Sequence, residues 1–190
     1  MERLGLLRYL ITRHYELYGK LYGRKKLQKL LFLVEHLDLS SRRVVKSTGL
    51  TGYKFYIWLY GPFSEEVYKD LETLVNREDI IEEVIGADTR IRVDEAGVVL
   101  PLYDDDEAPK VIYIYQPRTS ILQRFLGGRD KVEINERVKE KIEWVLKEFG
   151  KLRPSELEDI TMRLLGLTQD KKLKYLGVSV DEYLEKENLV

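Results

Sequence analysis

Apolar residues recur at helical spacing from the start of the chain. Leu4, Leu7, Ile11, His14, Tyr15 and Tyr18 share one face, which predicts a helix from about 3 to 18. "LYGKLYGR" then supplies Gly19 and Gly23 for a turn. From Arg24, "RKKLQKLLFLVEHL" is again helical. Leu27, Leu30, Leu31, Val34 and Leu37 line one face, and Phe32 and Leu33 widen it into the arc of a central helix. The next pattern has period two. In "GYKFYIWLYG", Tyr53, Phe55, Ile57 and Leu59 alternate with Lys54, Tyr56, Trp58 and Tyr60, and aromatic and β-branched residues dominate, so a strand is expected.

Gly61-Pro62 should end that strand, because proline cannot donate to a ladder. Ser64 is then placed to cap a helix from about 65 to 77, with Glu65 and Glu66 in the first turn. Phe63 and Tyr68 have the spacing of a hydrophobic staple, and Val67, Leu71, Leu74 and Val75 form the buried face. Short strands are expected at 80–85, 89–94, 97–103 and 111–116, with an acidic loop, Asp104–Glu107, between the last two. "LGGRD" (126–130) reads as a linker. Asn135 can cap a helix whose face is Val138, Ile142, Val145 and Phe149, closed by Gly150. Ser155 and Glu158 have capping-box spacing behind Pro154, and Ser179 can cap a last helix. The fold class expected is α+β, mostly helical with a small antiparallel sheet. The order helix–helix–strand–helix followed by strands is also winged-helix-like. Residues 1–128 would form the α+β core and 129–190 a helical part packed on it.

Composition narrows the function. At 190 residues and 44% hydrophobic, the chain can bury one substantial core. No 18-residue apolar run exists, and charges at positions 2, 3, 8, 13 and 16 break up any leader, so a cytoplasmic protein with no membrane partner is expected. Cysteine is absent, which excludes disulfides, thiolate metal sites and cysteine nucleophiles. Charged residues make up 34% of the chain, and the Lys/Arg/Glu bias is that of a thermophile.

Charge is unevenly placed. Residues 1–54 sum to +8 and the remainder to −9. Either the two parts attract each other within the fold, or the basic part faces a partner. Arg24, Lys25, Lys26 and Lys29 lie at the start of a helix, the wrong end for its dipole, so an acidic partner or a phosphate could sit there.

Motifs of catalysis are not found: no Walker loop, GxGxxG, GxSxG or HExxH. His14 reads as a hydrogen-bonded core histidine, and His36 as a residue near a helix C-terminus. Ser64 reads as a cap rather than a nucleophile. The Asp104–Glu107 run reads as solvated loop ahead of a cation site. No cofactor is expected.

Two blocks, "GRKKLQKLLFLVEHL" and "FYIWLYGPFSEEVYKDLETLV", together resemble the Panacea domain family, above all its YwgA-like branch, with the SocA and GepA types more distant. "VLKEFGKLRPSELEDIT" is similar to the family's C-terminal helix–turn–helix. The matching positions are Lys26, Leu27, Lys29, Leu30, Tyr60, Gly61, Pro62, Ser64, Asp70, Leu71, Leu157 and Thr161. The resemblance implies a non-enzymatic protein-binding module, either an antitoxin that neutralises a toxin or an adaptor, with no catalytic residues to carry over.

Lys26, Lys29, Tyr60, Gly61, Pro62 and Ser64 are then the candidate partner-binding residues, with a dimer compatible. The alternative is a winged-helix DNA-binding regulator contacting phosphates through Arg24, Lys25, Lys26, Lys29, Arg42, Arg43 and Lys46. A metal enzyme built on the acidic loop ranks last. Gly61–Ser64 is expected to be chiefly a structural corner. Ser64→Ala should then cost about 0.5–2 kcal/mol as a lost cap. Lys26→Glu and Lys29→Glu, off the apolar face, should leave the fold intact.

Overall fold

The computed structural model describes residues 2–86, 111–118 and 134–189. The expected strands at 89–94 and 97–103, the acidic loop Asp104–Glu107, the linker at 126–130 and the boundary at 128/129 lie outside them. The elements are α1 (Glu2–Tyr18), β1 (Leu21–Tyr22), α2 (Arg24–His36), β2 (Tyr56–Trp58), β3 (Gly61–Phe63), α3 (Glu65–Asn76), β4 (Ile80–Ile85), β5 (Ile112–Pro117), α4 (Glu136–Phe149), α5 (Pro154–Leu165), α6 (Gln169–Lys174) and α7 (Val180–Lys186). The class is α+β, mainly helical with a small antiparallel sheet.

α2 is the axle. Its wide apolar arc is buried, with α4, α5, β1 and β3 packed against the helix. Leu27, Leu30, Leu31, Phe32, Leu33 and Val34 are fully buried. One apolar core joins them to Leu7, Leu10 and Ile11 of α1, Val67 and Leu71 of α3, Ile142 and Leu146 of α4, Leu157 of α5 and Tyr183 of α7.

The three-stranded sheet has the order β1–β5–β4, antiparallel throughout. β1 occupies the stretch expected to be a turn between Gly19 and Gly23. Its two residues pair Leu21 with Tyr115 and Tyr22 with Ile114.

The expected long strand over 53–60 is corrected. β2 holds only Tyr56–Trp58, and the chain turns back at Leu59-Tyr60. Gly61-Pro62 does not end a strand; it lies inside β3, with Ile57 opposite Pro62 and Trp58 opposite Gly61. Proline is tolerated there for a visible reason. Ile57 directs its N–H to the Val178 carbonyl oxygen (2.8 Å) and its own carbonyl accepts from the Gly177 N–H (2.8 Å), so it asks nothing of the residue facing it.

Helix ends are also revised. Asn135 caps α4, its side chain accepting from the Arg137 N–H at 2.9 Å, and Ser179 caps α7, accepting from the Glu182 N–H at 3.2 Å. α5, however, begins at Pro154 and not behind Ser155. Arg153 takes the cap position, and the Glu156 carboxylate reaches back to accept its N–H at 2.7 Å. Gly150 closes α4 in right-handed helical geometry. A Cβ there would lie 2.4 Å from both the Leu146 oxygen and the Tyr18 ring, so close packing selects the glycine.

Candidate functional site

The Gly61–Ser64 corner rests on the polar side of α2, and that side is buried. Gln28 grips the backbone of Ser64 from both ends: its Oε1 accepts the Ser64 N–H at 2.9 Å and its Nε2 donates to the Ser64 carbonyl at 2.7 Å. One helical position on, the Lys29 ammonium donates to the Pro62 carbonyl at 2.8 Å. α5 closes the junction. A Cβ on Gly61 would lie 3.3 Å from Met162 Cγ and 3.4 Å from Lys29 Nζ, and Gly61 has φ +81°, which disfavours any other residue. Thr161 of α5 returns its hydroxyl to the Leu157 and Glu158 carbonyls at 2.9 and 3.0 Å. Lys25 pairs with Glu158 at 2.5 Å and lies over the Tyr60 ring, 4.3 Å from its centre. Lys29, Tyr60, Gly61, Pro62, Ser64, Leu157 and Thr161, from three separate stretches of sequence, thus meet at one place.

Burial sets the electrostatics. Lys29 is 2% exposed, and loss of hydration lowers its pKa from 10.5 to about 7, with Glu158 opposing and Lys25 adding to the fall. Lys26 is also buried and lowered to about 8 by desolvation, against the pull of Glu156. Both lysines, expected to lie off the apolar face, are nonetheless packed, because α2 is covered on its polar side by β3 and α5, so glutamate at either position would place a carboxylate in a buried site. His14 is a core histidine, its ring nitrogens 3.2 Å from the Gly19 and Gly150 carbonyl oxygens, with its pKa lowered to about 4 by burial.

Ser64 stands at the cap position of α3 but does not cap. Its side chain makes no hydrogen bond to the helix, and its Oγ is buried without a partner among the described residues. The Ser64 N–H and C=O are spent on Gln28 instead. The staple does form, the Phe63 and Tyr68 rings meeting edge-on at 5.2 Å.

Above this buried junction the hairpin carries the opposite character. Trp58 is 44% exposed, Leu59 50% and Tyr60 59%, with Tyr56 also open to solvent. Leu173 and Leu176 are exposed on α6 and its exit. The two segments are tied by Lys172, whose ammonium donates to the Leu59 carbonyl at 3.2 Å, and by the Ile57 bonds to Gly177 and Val178. The outer edge of β2 is thereby engaged, and that of β3 is met at the Pro62 carbonyl by Lys29, so what the tip offers a partner is side chains.

The basic residues do not converge. Arg24, Lys25, Lys26 and Lys29 lie at one end of α2 and Arg42, Arg43 and Lys46 beyond the other, about 18 Å away along a 13-residue helix. Arg24 is bound to Glu82 (3.1 Å) and the Tyr115 hydroxyl (2.9 Å) and stacks on Tyr113. Arg42 pairs with Glu148 and Lys46 with Glu185, while Arg43 is exposed. The same holds earlier in the chain: Arg3 pairs with Glu66 and Asp70, Arg8 with Asp79, Arg13 with Glu143 and Lys20 with Glu83. The basic first part and the acidic remainder are largely each other's counterions. In-chain carboxylates also offset the cations at the start of α2.

Beside Gln28, buried polar residues that escaped the sequence reading include Glu35 and Lys141. Glu35 is fully buried and gathers the loop after α2, accepting from the Ser47 hydroxyl (2.7 Å), the Thr51 N–H (2.6 Å), and the Thr48 and Thr51 hydroxyls and Gly49 N–H. Burial alone would raise its pKa; the donors from Thr51, Ser47 and Gly49 outweigh it and hold the carboxyl below the usual range. Lys141 of α4 donates to the Leu37 carbonyl at the end of α2. A lone acid within the apolar run "LLFLVEHL" was the available signal for Glu35.

No curated protein and no solved structure matches the chain. One family model does, described as antitoxin SocA-like, Panacea domain, and it matches residues 27–164. That span is well over half of the chain, and it starts in α2 and ends in α5, the two helices that enclose the Gly61 corner. The chain belongs to the SocA-like antitoxin family of Panacea domains.

Proposed function

We propose that this protein is a non-enzymatic, antitoxin-like binding module that takes up a protein toxin on the exposed hairpin tip. The observation that carries the reading is the run of exposed side chains Trp58, Leu59 and Tyr60 at the hairpin tip, with Leu173 and Leu176 exposed on the segment tied to it. Tryptophan and tyrosine are the residues that most often anchor protein interfaces, and a contiguous exposed apolar patch on a small domain marks an interaction site. Family membership supplies the kind of partner. The buried junction supplies rigidity: Gln28 and Lys29 hold β3 and its exit at Pro62 and Ser64, and β3 pairs with the strand that carries Trp58, so little ordering remains to oppose binding. On this reading Lys29, Gly61, Pro62 and Ser64 position the surface, and Tyr60 touches the partner.

The test is co-expression with the product of a toxic open reading frame adjoining the gene. Growth should be restored by the wild-type chain and not by the Trp58→Ser/Tyr60→Ser double variant. Restoration by the double variant to the wild-type level would refute the placement of the site. Absence of any growth rescue by the wild-type chain, with both products expressed and folded, would refute the antitoxin reading.

A further inference from the structure

Two strands of three residues each make a marginal hairpin on their own. What completes this one comes from the C-terminal segment. Gly177–Val180 runs antiparallel along the outer edge of β2, with Ser179 beside Tyr56. The backbone carbonyls of Phe55, Ile57 and Leu59, at alternate residues, each accept a hydrogen bond from this segment. The Val180 N–H donates to Phe55 at 2.9 Å and the Gly177 N–H to Ile57 at 2.8 Å. Opposite Leu59 the segment is coiled in α6, and the Lys172 ammonium stands in for a backbone donor at 3.2 Å.

The segment is itself anchored. Val180, Tyr183 and Leu184 of α7 are buried in the core, and the Tyr183 hydroxyl donates to the Leu165 carbonyl at 2.7 Å. The Glu187 carboxylate accepts from the Tyr175 hydroxyl at 2.6 Å and pairs with Lys171 at 2.5 Å, which fixes α6 to the end of α7. Lys172 is 8% exposed, so packing holds its stem and sets its reach to Leu59. α6 and α7 follow residue 164, where the family match ends, so that match does not account for them.

We infer that Lys172 is the positioning residue of the hairpin tip: by holding the Leu59 carbonyl it fixes the turn that presents Trp58 and Tyr60 to a protein partner. Backbone bonds to Phe55 and Ile57 hold the base of β2, where both side chains are buried. The Leu59-Tyr60 turn has no such backing. Both of its side chains are exposed, and among the described residues Lys172 is the one group outside the hairpin that bonds to its main chain. Lys25 meets the Tyr60 ring and not the backbone. A turn without Gly, Asn or Asp has little intrinsic preference for its shape, so an outside tether decides it. The role in recognition rests on the function proposed above; the tether itself does not.

The test compares Lys172→Met, which keeps the buried stem and removes the donor, with Lys172→Arg, which restores one. Amide hydrogen exchange is read on the free protein, and affinity is read against the toxin. In Lys172→Met, exchange at Gly61, which faces Trp58 across the turn, should quicken about tenfold, while Val180 keeps the wild-type rate. Affinity should fall roughly tenfold, because the tip must then be ordered on binding. Lys172→Arg should recover most of both. Val180→Pro is the control for the base of the strand. Ser179 caps α7 in extended geometry, and proline is favoured at the next position, so the helix keeps its start while the bond to Phe55 is lost. Its effect should appear at Ile57 and not at Gly61. The inference is overturned if Gly61 and Val180 quicken together in Lys172→Met, if Gly61 does not change, or if a loosened tip binds as tightly as the wild type. A wild-type chain that binds no toxin sinks the proposed function, and the exchange rates still decide the tether.

Discussion

Replacing Lys29 by methionine removes a buried ammonium while keeping the length of the side chain. The structure puts this lysine at 2% exposure, with the Pro62 carbonyl as acceptor and its pKa lowered by desolvation to about 7. In the unfolded chain it titrates near 10.5. Between these values the unfolded state binds the proton and the folded state does not, so Lys29 makes stability rise with pH across about 7 to 10.5 and contributes no slope below the folded pKa. Complete titration difference gives about 1.4 kcal/mol per pH unit, so from pH 7 to 9 the ceiling is about 2–3 kcal/mol.

Methionine removes that slope. It also strips the Pro62 carbonyl of its donor, a loss of about 1–3 kcal/mol that does not depend on pH. Urea unfolding at pH 6, 7, 8 and 9 separates the two effects. The wild type should gain stability from pH 7 to 9, and Lys29→Met should gain less, by an amount approaching that ceiling. Lys26, lowered to about 8, leaves a residual slope in both proteins. Equal slopes in wild type and variant would refute the reasoning, since a hydrated lysine contributes none in this range.

Ser64→Ala should change stability by less than about 0.5 kcal/mol, or raise it, because the buried hydroxyl has no partner to lose; a melting-temperature loss of cap size would show that Ser64 does cap α3. Glu35→Ala should destabilise by about 3–5 kcal/mol in chemical denaturation, since it orphans donors from Ser47, Thr48, Gly49 and Thr51. Because the folded pKa of Glu35 is depressed, its contribution is present above the ordinary carboxylate range and disappears as acid titrates the folded state, so wild type and variant should converge in strong acid. Gly61→Ala should cost at least about 1–2 kcal/mol by the same denaturation assay, from its positive φ and its contact with Met162 and Lys29.

The helices were legible because their signals are local. The apolar faces of α1, α2 and α3, the caps at Asn135 and Ser179, and the Phe63–Tyr68 staple are written within a few residues of where they act. The hairpin was misread because its turn, Leu59-Tyr60, carries none of the Gly, Asn or Asp that usually marks one. The proline expected to stop the strand sits inside its partner, where Ile57 happens to bond elsewhere. Ser64 looked like a cap because cap residues are recognised by type, and only the reach of Gln28 from another helix shows why the hydroxyl is idle.

Lys26 and Lys29 illustrate the main limit of pattern reading. Charge on a helix suggests solvent, and nothing local tells that α5, more than 120 residues on, will cover them. The charge asymmetry was legible as a number, while its meaning, pairing within the fold, required the partners.

The account separates residues that hold the hairpin from residues that meet a partner, and one comparison bears on that division directly. The affinity of the Trp58→Ser/Tyr60→Ser variant for the protein partner proposed above should be measured by titration calorimetry, with its melting temperature taken on the same sample. Both side chains are partly open to solvent, so the loss of stability read from the melting should be no more than about 1 kcal/mol. Binding should weaken by at least about thirtyfold, the loss of one interface anchor. Unchanged affinity in a folded variant would contradict the account and return the partner surface to another part of the molecule.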